Sequence, residues 1–559
     1  MGTQQGSVKA WFSSVGLALG AFFFAASLTP SLIPRGPLVQ GVLGGMAIAI
    51  GYAIGVVCLY VWRYLQLPEA GRRARYVWHA VIAVLSFVLV VMALFYAVEW
   101  QNSIRAVMDM PRVDSAYPIR VLSIAIVVFA VLFGLGALVL RFARWITTRV
   151  QRFLPRRVAT LLGGGIALVL VWTLANGVLV RYAFQSLDLS FREFDALIEP
   201  DRPQPTDAAR TGSAESLFKW NELGRAGREF VSSGPLASDI STLTGREAVT
   251  PIRVYAGLQV ADTPKARANL VLEELKRQRA FDREVLVIIT PTGTGWVDPA
   301  AMDGLEFLYD GNVASAALQY SYLNSPLSLL FQSEQGAVSA RALFETVYDY
   351  WKGLPADSRP KLYLHGLSLG AFNSQRTVSF FDIFDDPIDG AVWSGPPFQS
   401  AQWRAMTNAR QPDSPEWLPV FHDGKLVRFM NQHGEAPASY TGWGRMRVVY
   451  LQYASDAITF FDPTSLYREP DWMKAPRGPD VSPALSWYPV VTFLQLAVDM
   501  GLADTTPIGY GHVYAPQHYL RAWLAVTGLD TWSPEQLTRL EHYLRDASPR
   551  IADAELRGG

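Results

Sequence analysis

A serine stands between two glycines at residues 366–370, inside the run KLYLHGLSLGA (361–371). A serine hydroxyl is a poor nucleophile until a base takes its proton and an acid orients that base. The chain supplies both partners downstream. Asp456 follows the apolar run 448–453, and His512 follows Gly509 and Gly511 in GYGHVY. Serine, then acid, then histidine is an order in which this chemistry recurs. The reaction it serves is attack on an acyl carbonyl. Rivals remain open at this point. The chain has seven histidines, and His518, six residues past His512, competes for the base. His79 lies in an apolar run, His365 sits beside the serine, His422 and His433 precede Asp456, and His542 lies in a charged tail. Asp462 and Asp389 compete for the acid.

The serine needs a particular setting. A nucleophile elbow is a strained strand-to-helix turn whose glycines let strand and helix approach. The sequence predicts a short strand at 362–364 before Ser368 and a helix at 369–379 after it. A negative oxygen formed in the reaction needs preorganised donors. Leu369 N–H, at the start of that helix, is the first. The second is expected from TPTGTGW (290–296), where the amides of Thr292, Gly293 and Thr294 are candidates. Read as a phosphate cradle, this loop lacks the lysine and helix start of a P-loop.

These loops must hang on a scaffold. Strand-like runs at 252–255, 285–289, 313–318, 388–393 and 448–453 join the one at 362–364. They alternate with helical patterns at 263–279, 337–351 and 369–379. Such alternation predicts an open, doubly wound, mostly parallel sheet with its site at the strand C-terminal ends.

The first 182 residues read differently. Five apolar runs, at about 10–33, 38–62, 77–98, 121–140 and 158–180, contain no Asp, Glu, Lys or Arg. Each is long enough to cross a bilayer. Arginines crowd the second connection (Arg63, Arg72, Arg73, Arg75) and the fourth (Arg141, Arg144, Arg149, Arg152, Arg156, Arg157). The positive-inside rule then places the N-terminus in the cytoplasm and everything after residue 180 outside the inner (plasma) membrane. The runs hold no charged group at depth, which speaks against a transport path. Gly41/Gly45 and Gly51/Gly55 carry two small-residue spacings suited to close helix packing.

Composition excludes other classes. Lys plus Arg and Asp plus Glu are 49 each, so the net charge is zero and no attraction to nucleic acid is expected. One cysteine, Cys58, rules out an intrachain disulfide and a thiolate cluster. No histidine or carboxylate grouping has metal-ligand spacing, and no cofactor is implied.

Six stretches together resemble a membrane-anchored α/β-hydrolase family of bacteria, in which a multi-span N-terminal domain precedes a hydrolase domain. They are PIRVYAGL (251–258), TPTGTGWVDP (290–299), LQYSYL (318–323), HGLSLGAF (365–372), WSGPP (393–397) and GHVY (511–514). The resemblance implies a serine hydrolase with Ser368 as nucleophile and His512 as base. Leu367 stands where related elbows often carry Glu. The expected organisation is a transmembrane helical domain at 1–182, an approach segment at 183–250, and an α/β-hydrolase domain at 251–559. Lid-like insertions are expected near 398–446 and 462–504, both rich in apolar and aromatic residues. A site outside the membrane beside apolar covers suggests an ester of a lipid or envelope acyl compound as substrate. The same residues would serve an acyltransferase if an alcohol replaced water. A non-catalytic membrane scaffold is the reading from another class, since fold alone does not fix function.

Overall fold

The structure is a computed structural model. It describes residues 13–556 apart from 69–70, 174–189, 201, 324, 326, 329–331, 378–382, 384 and 436–439. The chain divides into two compact units, Met1–Phe184 with Phe461–Thr505, and Gln185–Phe460 with Thr506–Gly559.

The first unit is helical. It contains α1 (Ser14–Ser27), α2 (Pro37–Tyr64), α3 (Arg72–Val107), α4 (Pro118–Val150) and α5 (Arg156–Thr173). Proline opens α2 and α4, where its missing N–H costs nothing. The Ser13 hydroxyl accepts from Gly16 N–H and caps α1. Among the described residues three helices, not five, are long and apolar enough to cross a membrane: α2, α3 and α4. The described part of α1 has 14 residues, and the apolar part of α5 runs only from Val158 to Thr173. Residues 174–180 of the fifth run lie outside the described residues. The glycine spacings of α2 face two different neighbours. A Cβ at Gly41 or Gly45 would come within 2.6 Å of Ile124 or Val128 on α4. One at Gly51 or Gly55 would come within 2.6 Å of Leu19 or Gly16 on α1.

The stretch near 462–504, expected as a lid of the sheet domain, belongs to this helical unit. Its helix Val491–Met500 buries Val491 with Phe23, Ala26 and Ala47. The apolar residues that suggested a cover pack against helices instead.

The second unit is built on one eight-stranded sheet of order β1-β3-β2-β4-β5-β8-β6-β7. The strands are β1 (Ile252–Ala256), β2 (Val285–Thr290), β3 (Val313–Leu318), β4 (Lys361–Leu367), β5 (Gly390–Ser394), β6 (Val427–Asn431), β7 (Gly434–Glu435) and β8 (Arg447–Leu451). All neighbours run parallel except β6 and β7. β1, β2 and β3 are buried at every position, as expected for strands covered on both faces. The chain turns from β2 to β3 on one side and places β4 on the other, so β2 and β4 flank a topological switch point. Thr290 pairs in register with Gly366, which puts the loops after β2 and β4 side by side.

Two expectations need correction here. The 398–446 stretch is not simply a lid, because it carries β6 and β7, which extend the sheet. Its aromatic residues go inward. Phe429 stacks on Tyr450 at 5.1 Å between ring centroids, and Trp403 donates its indole N–H to Gln452 at 2.7 Å. The approach segment also folds onto the sheet unit. Helix Gly224–Ser233 buries Phe230 and Val231, and a Cβ at Gly227 would meet the Tyr255 ring of β1 at 2.4 Å.

Candidate active site

Ser368 sits where β4 ends and the helix Leu369–Gln375 begins. Its backbone has φ 55° and ψ −122°, a region that side-chain-bearing residues rarely adopt. The surroundings impose this turn. A Cβ on Gly366 would lie 2.5 Å from the Gly370 carbonyl carbon, and one on Gly370 would lie 2.2 Å from the Thr290 oxygen. Both contacts are with backbone, which cannot swing aside. The two flanking glycines are therefore sterically required.

Asp456 follows β8 and is fully buried. Its Oδ1 accepts Ile458 N–H at 2.9 Å and Thr459 N–H at 3.3 Å, which fixes the carboxylate in its turn. Its Oδ2 lies 2.7 Å from His512 Nδ1 and also accepts the Tyr514 hydroxyl at 2.7 Å. The loop carrying His512 is fastened to the same turn, since Gly511 N–H donates to Ser455 Oγ at 2.9 Å.

A short bridge brings serine and histidine together. Ser368 N–H donates to the Ser394 carbonyl at 2.9 Å. The next residue, Gly395, has φ 48° and lies flat against the imidazole, where a Cβ would come 2.6 Å from His512 Cε1. The strand ends of β4, β5 and β8 thus converge on one point.

The rival residues have other partners. His518 Nδ1 meets the Tyr453 hydroxyl at 2.5 Å, and burial pushes its pKa down to about 3. His365 is held against the Val392 carbonyl at 2.8 Å inside the sheet, and burial lowers it to about 4. Both are neutral at working pH and stay in the core. His422, His433, His542 and His79 are exposed. Asp389 accepts Leu362 N–H at 2.8 Å, at the start of β4. A seven-residue strand at about 3.3 Å per residue puts it roughly 20 Å from the serine end. Asp462 caps the turn Pro463–Leu466 and lies in the helical unit.

The loop after β2 is more tightly tied than its sequence suggests. Thr292 N–H donates to Trp296 O at 3.0 Å, and Gly293 N–H donates to Ser325 Oγ at 3.2 Å. Gln319 Nε2 donates to the Thr294 carbonyl at 3.2 Å, and the Tyr255 hydroxyl to that of Gly295 at 2.8 Å. Two of the three amides expected to face a substrate oxygen are spent holding the loop.

Tyr514 was missed as a site residue although GHVY was noted. Its signal was proximity: it stands two residues past the histidine, just after the turn Tyr510–Val513 that carries the ring. It is fully buried, and burial beside the Asp456 carboxylate holds its hydroxyl well above the usual tyrosine range. It stays protonated and donates. Among the described residues no grouping of His, Cys, Asp and Glu could hold a metal ion.

A sequence profile described as the alpha/beta-hydrolase family matches residues 252–540, and one described as that family's N-terminus matches residues 28–235. The first alone spans more than half of the chain, so the chain belongs to this α/β-hydrolase family. The match runs across every strand of the sheet and includes Ser368, Asp456, His512 and Tyr514. Neither the curated proteins nor the solved structures contain a match.

Proposed function

We propose that this protein is a membrane-anchored serine hydrolase that cleaves a carboxylic ester of a lipid or envelope acyl compound. The observation that carries this reading is the strained Ser368 beside the Asp456–His512 pair. A residue at φ 55° between two obligatory glycines costs folding energy.

In this mechanism His512 Nε2 takes the Ser368 Oγ proton as Oγ attacks the acyl carbonyl. Asp456 holds Nδ1 and stabilises the imidazolium. Leu369 N–H and Thr294 N–H receive the oxyanion, since Thr292 and Gly293 are engaged within their loop. The tetrahedral intermediate collapses to an acyl-serine, and His512 returns the proton to the departing alcohol. Water, deprotonated by His512, then attacks the acyl-serine and releases the acid, and the proton returns to Ser368. The three apolar helices fit attachment to a membrane.

The test is fluorophosphonate labelling of membranes holding the full chain, wild type against Ser368→Ala. The expected result is labelling that disappears in the variant, with ester hydrolysis reduced by about 10⁴-fold or more. Folded wild-type protein that remains unlabelled, with detergent and lipid present, would remove the enzyme reading.

A further inference from the structure

The segment Phe461–Thr505 leaves the sheet unit and returns to it, yet belongs to the helical unit. Val491 is buried in a cluster with Phe23, Ala26 and Ala47, and Ile50, Ile54, Tyr488 and Val490 pack on that cluster. α2 has 28 residues, about 42 Å of helix, and a crossing takes about 20 residues. Every 20-residue window of α2 contains positions 47–54. The excursion therefore meets α2 at a level within the hydrocarbon, wherever along α2 the bilayer is placed.

Many of its polar groups find partners within the protein, although Ser465 Oγ makes no hydrogen bond among the described residues. Irregular backbone persists at membrane depth only where protein satisfies it. Val490 N–H donates to Leu466 O at 2.9 Å, Tyr488 N–H to Thr492 Oγ1 at 2.8 Å, and the Trp487 indole to Ser465 O at 2.8 Å. Gln495 Nε2 donates to the Thr29 carbonyl just past α1, at 3.0 Å. Asp499 accepts from the Ser31 hydroxyl and from Leu32 N–H at 3.0 Å, with Arg35 Nε 3.7 Å away. The excursion helix thus supplies partners that the α1–α2 connection lacks on its own. Ser103, near the C-terminal end of α3, meets Ser482 at 2.7 Å. The Gln495, Asp499 and Ser482 contacts lie toward one face, the one bearing the α1–α2 and α3–α4 connections. The arginine-rich connections lie at the other helix ends.

The two stems of the excursion carry chemistry. Asp456 precedes Phe461 by five residues, and His512 follows Thr505 by seven. An extended chain covers at most about 3.5 Å per residue, so the acid stays within about 18 Å of one stem and the base within about 25 Å of the other, whatever the arrangement of the units.

We infer that residues 461–505 form a re-entrant membrane element, and that the ester hydrolysed is carried by a lipid of the leaflet this element enters. The substrate half rests on the serine-hydrolase reading above. The re-entrant half does not. Leu466 and Tyr467, 41% and 70% exposed, then face lipid or its interface.

Two experiments on the full chain in vesicles test this. The first places a spin label at Leu466→Cys in a Cys58→Ser background, Cys58 being the sole cysteine. Collisions with oxygen should dominate over those with a water-soluble nickel chelate. Dominance of the chelate would overturn the re-entrant element. The second dilutes an ester-linked phospholipid tenfold with a diether phospholipid at constant bulk ester. The initial rate should fall about tenfold, because an enzyme drawing on a leaflet responds to surface concentration. An unchanged rate with Ser368-dependent labelling intact would overturn the lipid substrate alone. Labelling that survives Ser368→Ala would instead remove the reading on which it rests.

Discussion

Two sets of glycines in this molecule permit close approach, and they do so for different ends. In α2, Gly41 and Gly45 admit side chains of α4, while Gly51 and Gly55 admit the backbone of α1. In the turn at 366–370, Gly366 and Gly370 admit backbone from the following helix and from the loop after β2. The helical glycines gain contact in a medium where hydrophobic burial between helices offers little. The turn glycines gain no contact of comparable extent, and the serine between them is strained. Packing explains the first set completely. The second set holds a buried serine, 5% exposed, in a backbone conformation that packing does not require.

Substitutions should separate the two. The largest effect is expected for Gly370→Ala, whose Cβ would lie 2.2 Å from Thr290 O. Displacing the elbow by even about 1 Å should lower Ser368 labelling about 10²-fold or more. Gly45→Val provides the contrast. It forces α2 from α4, where even a Cβ meets Val128 at 2.6 Å, and should cost about 1–3 kcal/mol of stability. The expected readout is a lower Tm in detergent with the labelling of folded protein retained. Equal loss of labelling in both variants would erase the distinction.

Tyr514→Phe tests the site more finely. It removes one of the bonds to Asp456 Oδ2 while keeping the ring stacked on Tyr453. Asp456 then loses one of the donors that fix its carboxylate toward His512 Nδ1, and the looser imidazole should lower kcat/KM about tenfold. A carboxylate with one donor fewer stabilises the imidazolium more. The acid limb of the pH–rate profile should then move to higher pH. A lower rate with an unmoved limb would make Tyr514 structural only.

A separate effect, on stability alone, concerns the two buried histidines. The folded pKa of His365 is about 4 and that of His518 about 3, against about 6.5 for a free imidazole. Between pH 6.5 and those values the unfolded chain binds protons that the folded one refuses. Stability therefore rises with pH across that window and is lost as pH falls below 6.5. For His365 the full loss is about 3 kcal/mol, reached near pH 4. Tm of the full chain should drop between pH 7.5 and pH 5, and His518→Gln should flatten that drop.

Much of this was legible in the sequence. β2 and β3 were read from runs of β-branched and small apolar residues, because strands buried on both faces leave an unbroken apolar signature. β6 was not, because VRFMN carries the charged Arg428 at its second position and lies in a stretch whose tryptophans suggested a cover. Its hydrogen-bonding partner, β8, comes after it in the chain, so nothing local marks it as a strand. The excursion at 461–505 was misplaced for a similar reason. An apolar ten-residue helix reads alike whether it covers a pocket or enters a bilayer.

The sequence by itself determined the glycine-flanked serine turn, the apolar character of the N-terminal helices and the parallel sheet. Each of these is a local pattern, fixed by residue type, period and spacing. Only the tertiary structure shows that Asp456 pairs with His512, that His518 meets Tyr453, that Asp389 binds the start of β4, and which loop amides are already engaged. It also decided that 461–505 packs with helices more than 400 residues earlier in the chain. These are questions of which distant groups meet. Two histidines six residues apart differ little in their neighbours along the chain, and only the fold puts a carboxylate 2.7 Å from one and a tyrosine against the other.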